Sequence, residues 1–220
     1  MASRDLVQMQ ATHDCSSVVT PWQLEELCAH FSVLSKVILS IFGGEDHPYH
    51  KFCGMFSLSI DALAVGLHIP LPLVMVAFLA FWWVSPSQLM SNYWRFLRIF
   101  PKACNGARLM MSYELFHLYF YLNQGLSSYY LSPHIGFKIN GAISCDKGWW
   151  SRFFIMDGSE DKGFPMAWAA HTVFNALPLF SSSETEAWEK MRAFFSNSVA
   201  EHEEEACLTE TFPPTHILAL

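Results

Sequence analysis

Charge is scarce in this chain. Asp, Glu, Lys and Arg make up only 15% of its 220 residues, against about a quarter in an ordinary soluble domain. From Ala62 through Trp94 there is none at all. Paired cysteines are missing too. Cys15, Cys28, Cys53, Cys104, Cys145 and Cys207 are scattered with no C-x-x-C spacing, which leaves no disulfide framework. The first ten residues hold Arg4 and Asp5 and no apolar run, so no secretory signal is expected. An intracellular protein with reduced thiols, nuclear or cytoplasmic, is expected.

The chemical motifs are equally thin. The sequence has no phosphate-cradling G-x-x-x-x-G-K-[ST] loop, no G-x-G-x-x-G, no G-x-S-x-G elbow and no H-E-x-x-H pair, so the usual nucleotide, hydrolase and zinc-protease signatures are excluded. Asp157-Gly158-Ser159 transposes the D-[ST]-G of aspartic proteases and reads as a turn. His47-x-x-His50-x-x-Cys53 has metal-compatible residue types, but no second ligand pair stands at a customary spacing. It is taken as a polar turn before a strand, and His117 as a packing residue among aromatics. Carboxylates are sparse before position 157, and no three-carboxylate, two-metal nuclease site is apparent, although distant positions could converge. No catalytic residue, cofactor or metal is expected, and the chain reads as a non-enzyme.

What the sequence has is apolar mass: 52% hydrophobic and 15% aromatic residues, with a mean hydropathy of +0.22. A core of that content is far from a disordered composition. The net charge of −7 argues against wholesale nucleic-acid binding, but it is unevenly spread. The middle carries Arg95, Arg98, Lys102, Arg108, Lys138, Lys147 and Arg152 against Glu114 and Asp146, whereas the acid collects after position 183. Six of these cations, Arg95, Arg98, Lys102, Arg108, Lys147 and Arg152, lie among aromatics and form the candidate nucleic-acid contacts, since base stacking and phosphate neutralisation need that interleaving. The plainer reading puts the aromatics in the core and the charges in water.

Local patterns predict an α+β fold, mainly helical over the first two-thirds, with a small antiparallel sheet around 127–156. Residues 1–19 read as a disordered tail, 20–180 as one globular domain and 181–220 as an acidic tail, part helical and part disordered. Thr20-Pro21-Trp22-Gln23 has capping-box form, and the apolar spacing behind it predicts a helix reaching Gly43-Gly44. A short strand is expected at Phe52–Phe56 and helices at Leu58–Leu67, at Leu73–Val84, from about Asn92 to a stop or kink at Pro101, and at Tyr113–Leu122. Ser85-Pro86-Ser87-Gln88 has the form of a second capping box. Strands are expected at Ser127–Leu131, Gly136–Ile139 and Trp149–Met156, and a last helix capped by Ser183. Leu73–Val84 is apolar on every side and implies burial or a membrane. At about 1.5 Å per residue the proline-free stretch spans about 20 Å, short of the ~30 Å of a bilayer core. A buried core helix is expected, with an anchor through residues 63–84 as the alternative.

An ordered series of short matches then gives a family likeness. Glu26-Leu27-Cys28-Ala29, Gly66-Leu67-His68-Ile69-Pro70-Leu71-Pro72, Val84-Ser85-Pro86-Ser87-Gln88-Leu89, Asn92-Tyr93-Trp94-Arg95 and Tyr113-Glu114-Leu115-Phe116 come first. Tyr129-Tyr130-Leu131-Ser132-Pro133, Lys147-Gly148-Trp149-Trp150-Ser151-Arg152-Phe153-Phe154 and Phe164-Pro165 with Trp168 follow. Over about residues 22–170 the chain resembles the gypsy-type transposon (transposase-like) domain of plant proteins. Ser91 stands where that pattern has proline, and Pro72 falls one residue early. The resemblance implies a retroelement-derived, gag-like protein with a structural or protein-interaction role, either self-associating or binding other proteins. No catalytic residue comes with it, and the zinc knuckle by which retroelement coat proteins grip RNA is missing. A nucleic-acid-binding module is the first alternative and a membrane-anchored protein the second.

Overall fold

The computed structural model describes residues 2–31, 33, 35, 37–90, 94–134, 148–157, 163–173, 175, 185–186 and 188–191. The fold is α+β with small antiparallel sheets. In chain order it runs α1 (Ala2–Thr12), α2 (Pro21–His30), β1 (Leu39–Ser40), β2 (Met55–Ser59), α3 (Ile60–Ala64), α4 (Leu73–Trp82), a 3₁₀ turn (Pro86–Gln88), α5 (Trp94–Gly106), α6 (Tyr113–Tyr119), β3 (Phe120–Gln124), β4 (Tyr129–Pro133), a second 3₁₀ turn (Trp149–Ser151) and β5 (Phe153–Asp157). Two compact units divide it. The first comprises Met1–Arg98, Leu122–Ser132 and Ser144–Asn175, and the second Ile99–Tyr121, Pro133–Ile143 and Ala176–Leu220.

Both expected capping boxes form. Thr20 receives the Gln23 backbone N–H on its hydroxyl at 3.3 Å and gives its own N–H to the Gln23 side chain at 2.9 Å. Ser85 and Gln88 repeat that reciprocity at the 3₁₀ turn. These satisfy donors that a helix start leaves orphaned.

The centre of the first unit is a three-stranded sheet in the order β1-β5-β2. β5 pairs antiparallel with all of β2, from Met55↔Asp157 to Ser59↔Phe153, and on its other edge with Leu39↔Met156 and Ser40↔Ile155. The late strand expected at Trp149–Met156 is therefore present from Phe153, after a 3₁₀ turn, but its partners come from the first sixty residues. β4 pairs with β3 in a separate sheet. The strand expected at Gly136–Ile139 and the Ser183 cap lie outside the described residues. Phe42, Trp149, Phe153 and Ile155 form a buried cluster, with Phe52, Met55 and Met90 packed against it.

Several boundaries differ from the sequence reading, each for a physical reason. The helix expected to reach Gly43 stops at His30, and β1 forms instead. Ile38 and Ile41 are 60% and 40% exposed and so form no buried helical face, and β-branched residues suit an extended chain. The Leu58–Leu67 helix gives way to β2, which takes the full length of β5. Ser59 then caps the five-residue α3 by accepting the Asp61 N–H. The helix expected to end at Leu122 turns into strand at Phe120, where aromatic Phe-Tyr-Leu sequence favours the pleat. α5 is not ended by Pro101 and runs on to Gly106. Residues 1–19 are no loose tail: α1 is helical, and Met9, His13 and Val19 are buried.

α4 departs from full burial. Met75, Phe78, Leu79 and Trp82 face inward, but Leu73 is 87% exposed and Phe81 50%. No helix among the described residues is long and apolar enough to cross a membrane.

In the second unit Phe100 meets Phe116 edge-on at 4.9 Å. Tyr119 stacks on Trp188 at 4.9 Å and gives its hydroxyl to the Trp188 carbonyl at 3.0 Å. Residues 185–186 and 188–191 are helical.

Candidate functional site

Arg152 anchors the first unit from within. It leaves the 3₁₀ turn just before β5, and its guanidinium grips the Asp61 carboxylate with two parallel bonds, Nε to Oδ2 at 2.9 Å and Nη2 to Oδ1. The side chains are only 12% and 10% exposed. Ser59 adds a hydroxyl to Asp61 Oδ2 at 2.9 Å, and the Arg152 carbonyl takes the Ile60 N–H at 2.9 Å. A two-point fork on a carboxylate is the strongest and most directional ion pair a protein makes. Arg152 thus closes α3 onto the edge of the sheet and is not presented to a phosphate.

The other expected nucleic-acid contacts are divided between the two units. Arg95 and Arg98 are in the first unit and half-buried; Lys102 and Arg108 belong to the second unit and are exposed. Lys147 lies outside the described residues. Arg98 lies over Gly66, whose φ is +92° and where an added Cβ would stand 1.9 Å from Arg98 Nη1. The glycine is there because the backbone turns left-handed and the guanidinium occupies the space of a side chain.

Several residues of the short motifs quoted above are engaged in the same kind of closure. Trp168 gives its indole N–H to Ser87 Oγ at 2.8 Å, and Ser87 Oγ in turn donates to the Pro48 carbonyl at 3.1 Å. Gln88 bonds Ala169 in both directions, Nε2 to the carbonyl at 2.8 Å and Oε1 from the amide at 3.4 Å. Tyr129 and His171 do likewise at 3.3 and 3.1 Å. Buried polar side chains in such chains fix one packing arrangement because each unmade bond would carry a desolvation cost.

His47 and His50 come together with ring centroids 5.0 Å apart, but Cys53 does not complete a ligand group with them. His47 Nε2 stands 3.5 Å from Asp14 Oδ1, and its ring stacks on Tyr49. His50 Nδ1 accepts the His47 backbone N–H at 3.2 Å, and Cys53 is exposed. Among the described residues no group of three or more His, Cys, Asp and Glu side chains is placed to hold a metal ion. His117 is buried in α6, its pKa lowered first by burial and then by His134.

Two histidines are missed by the sequence reading. His13 is fully buried, with Nδ1 on the Met9 carbonyl at 3.0 Å and its ring edge-on to Trp168 at 4.9 Å and Trp149 at 5.1 Å. Burial pushes its pKa down to about 4, partly offset by the Met9 bond. The signal was available, since Leu6, Met9 and His13 fall at the spacing of one helical face. His171 Nε2 donates to the Trp82 carbonyl at 2.7 Å, satisfying one of the orphan acceptors at the end of α4.

Trp83, the next residue, combines exposure with an uncommon backbone conformation. Trp83 ends α4 in the left-handed conformation, φ 54° and ψ 45°, and is 58% exposed. Glycine or asparagine is the ordinary occupant of such a cap, and a bulky residue there is strained by ~1–3 kcal/mol. With Leu73, Ala77 and Phe81, spaced four residues apart along the outer side of α4, it forms an exposed apolar row bare of charge.

Compared with protein-family models, with curated proteins and with solved structures, the chain finds no match.

Proposed function

We propose that this chain is a non-catalytic protein-interaction domain of retroelement descent that assembles with further copies of itself through α4. Trp83 carries the reading: backbone strain is retained to hold a large apolar side chain at the surface, which a fold serving itself alone would bury or replace. Exposed apolar rows of this kind mark interaction surfaces. From Ala62 to Trp94 there is no charged residue, so the face offers a charged partner nothing to pair with. An identical face matches it in chemistry, and two-fold pairing of like surfaces is the commonest oligomer. The closed bonding of Arg152, Ser87, Gln88 and Trp168 supports a structural role for the residues that resemble the transposon family.

Light-scattering mass in solution tests this with a variant chosen to keep the fold. Leu73→Glu places an acid in the first turn of α4, where the helix dipole welcomes it. Trp83→Asn suits the left-handed cap. The native chain is expected as a dimer or larger and the double variant as a monomer with an unchanged circular dichroism spectrum. A native chain monomeric across the micromolar range, or a double variant of undiminished mass, would refute it.

A nucleic-acid module is the second reading, favoured only by the exposure of Lys102 and Arg108.

A further inference from the structure

The N-terminal segment is fastened to the first unit along a line of its own. His13 sits between Trp149 and Trp168 and tilts against Phe153 at 5.9 Å. Asp14 receives the Tyr49 hydroxyl at 3.2 Å and faces His47. Cys15 Sγ points at the Trp150 carbonyl at 3.6 Å. Ser17 Oγ donates to the Phe153 carbonyl at 2.7 Å, and the Val18 N–H to the Ser151 carbonyl at 2.9 Å. Each of these bonds runs from residues 13–18 to elements that are held independently of it: β5 pairs with β1 and β2, Arg152 with Asp61, and Trp168 with Ser87. The segment is thus layered onto a body that has its own fastenings.

We infer that residues 2–19 form an acid-released strap, in which protonation of His13 expels the ring from its seat between Trp149 and Trp168 and frees α1 while the β1-β5-β2 sheet stays paired. The Met9 carbonyl and the surrounding aromatic faces favour an imidazolium, but the burial of the ring outweighs them. Nδ1 already meets the Met9 carbonyl, Nε2 is buried without a hydrogen-bond partner among the described residues, and the packed rings are Trp149, Phe153 and Trp168. The titratable and charged groups on the surrounding elements are engaged elsewhere. Asp14 faces His47 and Tyr49, Cys15 points at Trp150, and Arg152 is paired with Asp61. Water therefore holds the protonated ring better than the seat does. Burial pushes His13 from 6.5 down to about 4, which sets the window. A folded-state value below the free one means that attachment is complete above ~6.5 and weakens as pH falls toward ~4. One proton linked to release gives about tenfold per pH unit, or roughly 300-fold over those two and a half units. Release bares the faces of Trp149 and Trp168. The device is independent of assembly through α4.

Hydrogen exchange of the full chain between pH 7 and 4, corrected for the intrinsic pH dependence of amide exchange, reads strap and sheet separately. Protection of residues 4–12 is expected to fall by about tenfold per pH unit below ~6.5, with residues 153–157 unchanged. In His13→Phe, which keeps a ring and loses the proton site, strap protection is expected to hold across the range. Strap and sheet opening together, or a His13→Phe strap opening like the native one, overturns the inference. Should that variant fold poorly, the His13 ring resonances of the native chain decide. A midpoint well below 6.5 that coincides with loss of strap protection supports it, and a midpoint near 6.5 with the strap still protected overturns it.

Discussion

Replacing Arg152 by methionine separates two roles for that residue that differ widely in energy. A surface cation that touches phosphate contributes little to folding, and its loss is expected within ~0.5 kcal/mol of neutral. The arginine seen here is 12% exposed and is forked onto a carboxylate that is 10% exposed. Arg152→Met leaves Asp61 buried with only the Ser59 hydroxyl and its own cap bond. Stranding one charge of a buried pair costs ~3–5 kcal/mol, roughly a fifth or more of a typical domain stability of ~5–15 kcal/mol. With an m value of ~2 kcal/mol/M, the urea midpoint of the first unit should drop by about 2 M. Arg152→Met combined with Asp61→Leu removes both charges and should recover most of that loss, because two apolar groups of similar shape demand no partner. Urea unfolding followed by tryptophan fluorescence and circular dichroism measures all three. A single-variant loss under ~1 kcal/mol, or a double variant worse than the single one, would sink the assignment of Arg152 as an internal clamp and return it to the surface.

Three further outcomes follow from the same structure. Gly66→Ala forces a Cβ into a left-handed backbone beneath Arg98 and is expected to lower stability by ~1–3 kcal/mol in chemical denaturation; a neutral effect would mean that this turn relaxes freely. Burial pushes the Cys104 thiol up to about 12, so at pH 8 an aromatic disulfide reagent should modify exposed Cys53 at once and Cys104 only on unfolding. Equal rates at the two would contradict the burial of Cys104 in α5. Binding to oligonucleotides should be weak with a shallow salt dependence. A log–log slope of about −2 or steeper, flattened by Lys102→Gln and Arg108→Gln, would establish the nucleic-acid reading instead.

The caps, the mixed fold class and the cores of α4, α5 and α6 were legible because their signals are local. Thr20 with Gln23, and Ser85 with Gln88, lie within one turn of each other, and no distant contact competes with them. Partners were not legible. The sequence from Ser32 to Ile41 has helical spacing, yet β1 forms there because β5 offers it an edge more than a hundred residues later. The positive charge of Arg152 was plain, but Asp61 stood out as a ligand only once α3 and the turn before β5 were placed side by side. His13 was hidden differently. Residues 1–19 look polar when averaged, and one buried face of a single helix disappears in that average.

The pairing of Met55 with Asp157 also has a consequence during synthesis. β2 leaves the ribosome with both edges bare, and the strand that will fill the slot between it and β1 is about a hundred residues behind. At ~5–20 residues per second the wait is roughly 5–20 s. In that interval Phe56 and Leu58, later fully enclosed, lie on an open strand edge of the kind that recruits other chains. A transcript cut short before position 153 would leave the nascent product in that state permanently, so truncated copies of this gene should be found with chaperones or in aggregates and not as smaller folded proteins.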